Sequence, residues 1–408
     1  MDAPAASAVD RSLRPGAPTV MYGGNRIGLL VNGEQYFPAL LAAIESASRV
    51  IEIETYIFAD DNIGSRVADA LAAAGSRGVE VRLLIDGFGG GEYARRLVDE
   101  LGVQGVQVRI YRPERWWRLE RKLLRRLHRK IAVFDEQLAF LGGINIIDDH
   151  NVPSPLRDRL GPRFDFAVAC EGPIVQAMTL AVRQLWWQLA LRSLRGGAGP
   201  RPTLRRMPSQ PRPVGNMAAS LVLRDNFRHR RAIERSYLRA FEMARQQVII
   251  ANAYFLPGRR FRAALLAMAA RGVRVRLLLQ GEPEYALQFH AQRALYGQLL
   301  VGGIEIFEYT ASHLHAKVAV VDERWSTIGS SNIDPYSLLL AREANIVVHD
   351  AGFARQLAEV LGQAIEQQSR RIDAGAYGRR GWLARARDWC AYFVVRLATV
   401  VLARGRDY

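Results

Sequence analysis

The sequence predicts an α/β protein made of two related halves, each a mixed β-sheet flanked by helices. The first observation is a repeated pattern, His-x-Lys-x4-Asp, which occurs at His128 and again 187 residues later at His315. Each copy reaches an asparagine after the same seventeen positions. The second observation is that strand and helix signals follow in the same order in both halves, which is typical of helices packed on a sheet. We therefore expect two modules related by a pseudo-twofold axis, with one shared active site.

Each half opens with a strand, continues with a helix and then passes through a glycine turn into a buried strand. In the first half Ile51 and Ile53 alternate with Glu52 and Glu54, which indicates a strand. The predicted elements of the first half are, in this order, at 49–58, 64–76 and 77–87. Their counterparts in the second half are at 247–255, 260–270 and 271–281. The two motif copies fall on predicted strands at 127–134 and 314–321.

Changes in composition divide the chain further. The stretch between the halves is dense in glycine, proline and arginine, which predicts a linker. The predicted divisions are a disordered N-terminal tail at 1–20, a first module at 21–193, a linker at 194–215, a second module at 216–370, and a basic, apolar C-terminal tail at 371–408.

The whole-chain numbers favour a folded protein that binds polyanions. Hydrophobic residues make up 49% of the 408 residues, and the formal net charge is +16. So basic a surface favours nucleic acid or an anionic membrane as a partner, and charge alone does not choose between them. No stretch reaches the roughly 18 uninterrupted apolar residues expected of a spanning helix. The sequence therefore predicts a soluble or peripheral protein, and its two isolated cysteines suit a reducing compartment.

The repeated motif carries the chemistry. Positions i and i+2 of a strand share a face, so His128 projects with Lys130, and His315 projects with Lys317. Two imidazoles and two ammonium groups around one pocket suit a phosphodiester. One histidine can attack phosphorus, and the other can protonate the leaving oxygen and then deprotonate the incoming alcohol. Because the lysines supply the positive charge, neither a metal nor another cofactor is required.

Other polar residues complete the candidate site. Asn145 and Asn332 follow small-residue turns and are expected to bind the substrate phosphate. Asp165 and Glu343 lie on downstream strands and are expected to orient the imidazoles. The motif aspartates belong to the candidate catalytic set, although a turn position favours a role in fixing the loop. These aspartates are Asp135 and Asp322.

Three further polar residues have alternative interpretations. We expect Glu54 and Asn252 at corresponding strand positions, where they either line the cleft or are polar residues at the edge of the core. His313 shares a strand face with His315 but has no counterpart in the first half, where Arg126 stands. We interpret His313 as a neighbour of the site.

These residues resemble the phospholipase D superfamily, whose mark is the duplicated HKD motif. The likeness within it is to bacterial cardiolipin synthases of the short, peripheral type, and it rests on 52–58, 84–87, 128–135 and 141–145. The resemblance implies two phospholipase D-like modules. It also implies that a phosphatidyl group moves through a covalent phosphohistidine to a second phospholipid, such as phosphatidylglycerol. It assigns His128 as the nucleophile and His315 as the acid and base, on the cytoplasmic face of the bacterial cell membrane.

Two aromatic and basic segments are expected to contact the membrane. On a helix over 112–130, Trp116 shares one face with leucines and Trp117 lies beside that face, with arginines on the rest. In the tail, Trp382 and Trp389 lie among apolar residues flanked by arginines. Both patterns are typical of helices in a membrane interface. Packing on the protein's own core is the alternative for both.

Two other functions stay open from the sequence. A nuclease or other phosphodiesterase of the same superfamily could use the basic surface for nucleic acid. A non-catalytic lipid-binding protein is the alternative of another class. The aromatic segments favour lipid over nucleic acid, and two intact motif copies argue for catalysis.

Overall fold

The computed structural model describes residues 19–113, 126–152, 161–194, 211–225, 229–335, 337 and 341–403. The chain folds into two compact units. The described residues of Met1–Asp148 and Ala167–Leu221 form the first unit, and those of Asp149–Phe166 and Val222–Tyr408 form the second. The segment 149–166 therefore belongs to the second unit, although it lies within the first half of the sequence.

The first unit is a mixed sheet with helices packed against it. Its strands are β1 (Tyr22–Val31), β2 (Val50–Thr55), β3 (Glu80–Asp86), β4 (Gln107–Tyr111), β5 (Ile131–Phe134), β6 (Leu138–Gly142), β7 (Phe166–Glu171) and the start of β8 (Met217–Arg224). Their order across the sheet is β8-β1-β7-β6-β5-β2-β3-β4. Its helices are α1 (Asn32–Ser46), α2 (Asn62–Ser76), α3 (Gly91–Gly102) and α4 (Ile174–Leu194). Strands β2, β3 and β4 run parallel, and β5, β6 and β7 continue the sheet antiparallel.

The second unit has the same kind of sheet. Its strands are β9 (Gln247–Asn252), β10 (Arg274–Gln280), β11 (Glu305–Tyr309), β12 (Lys317–Val321), β13 (Trp325–Gly329), β14 (Glu343–His349) and β15 (Ser369–Arg371). Their order is β15-β11-β10-β9-β12-β13-β14. Its helices are α5 (Ala232–Met243), α6 (Arg259–Ala270), α7 (Ala286–Arg293), α8 (Tyr296–Val301), α9 (Ala351–Gln367), α10 (Ala374–Gly378) and α11 (Trp382–Ala403).

The two units repeat one topology and one register. Ile51 of β2 pairs with Phe134 of β5 in the first unit. Val248 of β9 pairs with Val321 of β12 at the corresponding place in the second. In both units the parallel strands lie on one side of this antiparallel pair. The duplicated mixed α/β fold predicted from the sequence is confirmed.

Local sequence explains where helices begin and which face they bury. Asp61 caps α2 by accepting the Gly64 N–H at 2.9 Å, so this helix starts two residues before the predicted position because an N-cap carboxylate satisfies an otherwise unpaired amide. Val67 and Leu71 recur at helical spacing and are fully buried in the core of the first unit. Burying each such side chain stabilises the fold by about 1.5–3 kcal/mol.

The predicted strands through the motifs were wrong at their starts. Strand β5 begins at Ile131, four residues later than expected, and β12 begins at Lys317, three residues later than expected. The reason lies in the backbone partners. The N–H groups of Leu127 and Leu314 donate to side chains at the ends of β3 and β10 rather than to a neighbouring strand.

Among the described helices, none combines the length and the apolar character needed to cross a bilayer.

Candidate active site

His128 and Lys130 lie in the short segment that leads into β5. The half-buried His128 ring packs edge-on against Tyr56, with 5.0 Å between ring centroids. Lys130 Nζ donates to the His128 carbonyl at 2.8 Å and lies 5.4 Å from the centre of the Tyr56 ring. Tyr56 therefore contacts both motif side chains, through a ring contact and a cation–π contact. No pattern in the sequence singled out Tyr56 as a site residue.

His315 is held by a buried carboxylate. Its Nδ1 donates to Asp165 Oδ2 at 2.6 Å, and Asp165 is only 2% exposed. The other oxygen, Asp165 Oδ1, accepts the Phe166 N–H at 2.8 Å. Because Nδ1 is committed to the carboxylate, Nε2 is the nitrogen of His315 that remains for proton transfer. The structure therefore pairs Asp165 with the histidine of the second motif copy.

Lys317 is fully buried beside this histidine. Its Nζ donates to the His315 carbonyl, as Lys130 does to the carbonyl of His128. Burial lowers the pKa of Lys317 to about 8, and the carboxylates of Asp165, Glu343 and Glu284 oppose that decrease. An ammonium group in such a site can stabilise the charge on a phosphoryl oxygen more strongly than it could in water.

The two asparagines that end the motifs have different partners. Asn145 Oδ1 accepts the Ile57 N–H at 3.1 Å, which ties this amide to the chain just after β2. Asn332 is also buried, but its Oδ1 accepts no hydrogen bond in the part of the chain that the structure describes. In the second unit Asn252 links the end of β9 to the segment that follows the motif, because its Oδ1 accepts the Ile333 N–H at 3.1 Å.

Glu343 at the start of β14 corresponds in register to Asp165, which directly precedes β7. The strand pairings Gly142–Ala167 and Gly329–Asn345 place each carboxylate two residues before the paired position. Glu343 is fully buried, and its Oε2 accepts the hydroxyl of Ser330 at 2.5 Å. Ser330 stands where the first copy has Gly143, so the second copy contributes a hydroxyl donor that the first copy lacks.

The motif aspartates fix hairpins. Asp135 and Asp322 each begin a two-residue turn with positive φ, 49° and 50°, a conformation that side chains disfavour. The Asp135 carboxylate accepts the N–H groups of residues 48–50 at 2.8–2.9 Å. Asp322 does the same with residues 245–247 at 2.7–2.9 Å. Burial would raise the pKa of Asp135, but these amide donors outweigh it and lower the pKa.

The expected correspondence of Glu54 and Asn252 was wrong by one residue. Glu54 pairs across the sheet with Ile131, and the residue opposite the matching Val318 is Ala251. Neighbouring strand positions face opposite sides, so Glu54 and Asn252 point to different faces of their sheets. The Glu54 carboxylate bonds to the guanidinium of Arg129 at 2.9–3.0 Å.

The second unit has alanines where the first has this ion pair. Arg129 lies between His128 and Lys130, and the residue at the same place in the second motif is Ala316. Glu54 is likewise replaced by Ala251. Both members of the buried pair are therefore exchanged together for small apolar residues.

Two residues that the sequence patterns did not single out anchor the chain just before each motif. Asp86, the last residue of β3, accepts the Leu127 N–H at 2.7 Å. Gln280, the last residue of β10, accepts the Leu314 N–H at 2.9 Å. The internal repeat was the available signal, because both residues end the same strand of the repeated unit. Burial raises the pKa of Asp86 to about 6, against the lowering effect of the Leu127 and Phe88 amides.

The residues expected at a membrane are only partly within the described chain. Trp116 and Trp117 lie outside the described residues, and the described ends of that stretch, 112–113 and 126–130, are not helical. Trp382 and Trp389 lie on α11 and are 70% and 44% exposed. The described part of the chain contains no cluster of histidine, cysteine or carboxylate side chains with the arrangement of a metal site.

Comparison with known families agrees with the duplicated motif. A family model described as cardiolipin synthase, PLD-like domain, matches residues 40–152 and 237–365, and thus spans most of both repeats. The chain belongs to this family. The resemblance to the phospholipase D superfamily that the motifs indicated is confirmed.

Individual relatives are similar over nearly the full chain. The protein is 40% identical to cardiolipin synthase B of Shigella flexneri over 378 residues, which cover 91% of this chain and 88% of the relative. The same values hold for cardiolipin synthase B of Escherichia coli (strain K12). A crystal structure of phosphatidylserine synthase from Haemophilus influenzae Rd KW20 has the same fold, with a TM-score of 0.67 over 97% of this chain and 98% of that chain at 14% identity.

Proposed function

We propose that the protein is a phosphatidyltransferase of the cardiolipin synthase type, which moves a phosphatidyl group from one phospholipid to a hydroxyl of another. The observation that carries this proposal is the His315 imidazole, held by Asp165 at 2.6 Å beside the buried Lys317. A positioned imidazole with a fixed tautomer next to a buried cation suits proton transfer at a phosphodiester. The names of the relatives agree with this chemistry.

The proposed reaction has two displacements. In the first, His128 attacks phosphorus, the bond to the leaving glycerol oxygen breaks, and His315 gives that oxygen a proton. In the second, a hydroxyl of another lipid loses its proton to His315 and attacks phosphorus, and the phosphorus–nitrogen bond to His128 breaks. Lys130 and Lys317 stabilise the developing negative charge.

The remaining predicted residues have supporting roles in this proposal. Asn145 and Asn332 bind phosphoryl oxygens, and Asp165 and Glu343 orient the imidazoles. Asp135 and Asp322 act only through the hairpins that they fix. This division follows from the hydrogen bonds that the two carboxylates accept from the backbone at 48–50 and 245–247.

Trapping the intermediate tests the proposal. Purified protein is incubated with phosphatidylglycerol labelled in the phosphatidyl group and quenched with denaturing detergent at neutral pH, because acid would hydrolyse the phosphorus–nitrogen bond of a phosphohistidine. We expect diphosphatidylglycerol as the product and label bound to the wild type but not to His128→Ala. Label on His128→Ala but not on His315→Ala would reverse the two roles. Cleavage of single-stranded DNA without lipid transfer would instead support a nuclease, and neither activity would support a lipid-binding protein.

We further propose that the protein works peripherally on the anionic, cytoplasmic face of the bacterial cell membrane, and that α11 contacts the lipid. One face of α11 is docked: Ala391, Tyr392 and Val395 pack in the core of the second unit. The buried Asp388 pairs with His290 at 3.1 Å and with Arg380. Core packing, the alternative for this segment, therefore applies to this face.

The opposite face of α11 is apolar and exposed. Its side chains between 62% and 70% exposed are Trp382, Leu383, Phe393 and Leu397. A helix that packs one face in the core usually has a polar opposite face. An apolar opposite face exposed to water therefore indicates a contact surface. The exposed Arg385 and Arg387 add the positive charge that favours anionic headgroups.

Sedimentation with liposomes tests this surface. We expect Trp382→Ser with Phe393→Ser to weaken binding to phosphatidylglycerol vesicles by more than about tenfold, because each large apolar side chain contributes on the order of 1–2 kcal/mol on burial. The matched control is Val103→Ser with Val301→Ser, at side chains that are 82% and 89% exposed elsewhere on the protein. Equal effects of the two pairs would contradict a specific role for α11.

A further inference from the structure

Three polar side chains lie beside the second motif and have no role in the reaction proposed above. Asn252 of β9 lies opposite both Leu279 of β10 and Lys317 of β12, so the ends of these strands meet at one edge of the sheet. The chain just beyond these ends carries polar side chains. They are Tyr254 after β9, Glu284 after β10 and His313 before β12.

The proton of His313 is placed by a chain of hydrogen bonds. Gln280 Oε1 accepts the Leu314 N–H at 2.9 Å, so its amide nitrogen faces His313 Nδ1 at 3.0 Å. An amide nitrogen only donates, so Nδ1 accepts and Nε2 carries the ring proton. Burial lowers the pKa of His313 and favours this neutral form.

The Nε2–H donor of His313 lacks a partner. The side chain is 4% exposed, and Nε2 forms no hydrogen bond to any residue that the structure describes. A buried donor left unpaired costs free energy that a bound acceptor recovers. The ring therefore presents a donor to a ligand.

Glu284 presents acceptors in the same region. The Tyr254 hydroxyl donates to Glu284 Oε2 at 2.6 Å, which fixes the carboxylate and leaves Oε1 to accept. The carboxylate lies close enough to Lys317 and His313 to oppose the decrease in pKa that burial causes in each. A donor and an acceptor therefore lie on the chain at the edge of the sheet where β10 ends and β12 begins.

We propose that His313 and Glu284 bind the non-reacting hydroxyl of an acceptor that carries two adjacent hydroxyl groups, such as a glycerol headgroup. The Nε2–H of His313 donates to this hydroxyl, and the hydroxyl donates to Glu284. A hydroxyl can do both, whereas an ammonium group can only donate and leaves His313 unpaired. The site therefore selects a vicinal diol over an ethanolamine headgroup and over a simple alcohol.

The proposal rests on the transferase function proposed above and leaves its chemistry unchanged. The adjacent, primary hydroxyl loses its proton to His315 and forms the new bond to phosphorus while the bond to His128 breaks. The hydroxyl bound by His313 and Glu284 keeps its proton and only positions the acceptor, which lowers the entropic cost of reaching the attack geometry.

Partition of one intermediate between soluble acceptors tests this site. The enzyme is supplied with labelled phosphatidylglycerol in detergent micelles, together with equal concentrations of 1,2-propanediol, 1-propanol and ethanolamine. The ratio of the labelled products is then measured, and this ratio does not depend on how fast the intermediate forms. We expect the diol product to exceed both others in the wild type. The preference for the diol over 1-propanol should fall about tenfold in Glu284→Gln, which replaces a charged acceptor by a neutral amide, and several-fold in His313→Phe, which removes the donor.

The matched control is Glu305→Gln, which removes a carboxylate at the start of β11 that is paired with Arg274. Its product ratio should equal that of the wild type. Equal transfer to diol and propanol in the wild type, or an unchanged ratio in Glu284→Gln and His313→Phe, would overturn the acceptor site while leaving the transferase intact. A preference for ethanolamine would show that Glu284 binds a cation instead. Absence of any phosphoenzyme would contradict the transferase itself, and the acceptor site with it.

Discussion

Replacing Asp165 by asparagine removes the carboxylate that orients His315 but leaves the imidazole itself in place. In the wild type one carboxylate oxygen accepts the Phe166 N–H at 2.8 Å and the other accepts from His315 Nδ1 at 2.6 Å. The asparagine oxygen must stay with the Phe166 N–H, because that amide can only donate. The asparagine nitrogen then donates to Nδ1, so the imidazole adopts the tautomer with its proton on Nε2. His315 can no longer accept a proton there from the incoming alcohol.

The size of the loss follows from the bond that is replaced. A hydrogen bond to a charged group contributes about 1.5–3 kcal/mol, which corresponds to a factor of about 10–150. Asp165 is nearly inaccessible to water, so solvent cannot substitute for the carboxylate. General acid–base assistance as a whole contributes about 10²–10⁴ in rate. We therefore expect phosphatidyl transfer by Asp165→Asn to fall by about 10²-fold, and by up to about 10⁴-fold if the wrong tautomer removes all assistance.

The assay is steady-state transfer from labelled phosphatidylglycerol in mixed micelles, with circular dichroism to show that the variant is folded. Asp350→Asn is the control, because Asp350 caps α9 by accepting the Phe353 N–H at 2.8 Å and has no place in the proposed reaction. The control should keep both its stability and its turnover, because asparagine caps a helix about as well as aspartate. Asp165→Asn within threefold of the wild type would refute the reasoning about the tautomer.

Two further outcomes follow from burial. Glu52→Gln should lower the free energy of unfolding by about 3 kcal/mol in urea, because its inaccessible carboxylate bonds to Arg82 at 2.7 Å and Arg183 at 2.9 Å. Glu305→Gln should cost less than about 1 kcal/mol, since its partner Arg274 at 2.7 Å is 58% exposed; equal losses would count against burial as the cause. Transfer should decline as the pH rises through about 8, where the buried ammonium of Lys317 loses its proton. Lys317→Arg should move that decline to higher pH at a reduced rate, and an unmoved decline would assign it to another group.

Local patterns in the sequence were enough to predict the repeated strands and helices. Alternation around Ile51 and the glycine turns at Gly78 and Gly272 report on neighbouring residues only, and the structure has strands and turns there. The motif residues were found for the same reason, since their spacing is fixed within one short segment.

Features that depend on distant contacts were harder to predict. Asp165 lies in the first half of the sequence but serves His315, because the segment 149–166 folds with the second unit. No pattern within that segment reports this placement. The one-residue error at Glu54 has a related cause, since strand register is set by pairing partners far along the chain. The tautomer of His313 depends on Gln280, thirty-three positions away.

The exchange of the Glu54–Arg129 ion pair for Ala251 and Ala316 bears on how the two halves diverged from a common ancestor. Conversion of either version into the other requires two substitutions, and the intermediate has one ionised group in the interior without its counter-ion. Removal of one partner of such a pair costs about 3–5 kcal/mol, which is a large part of the stability of an ordinary domain. Point mutation alone rarely crosses such a barrier. Once the two halves differed at this pair, reversion of either half to the other version was therefore rare, and the two halves were free to specialise.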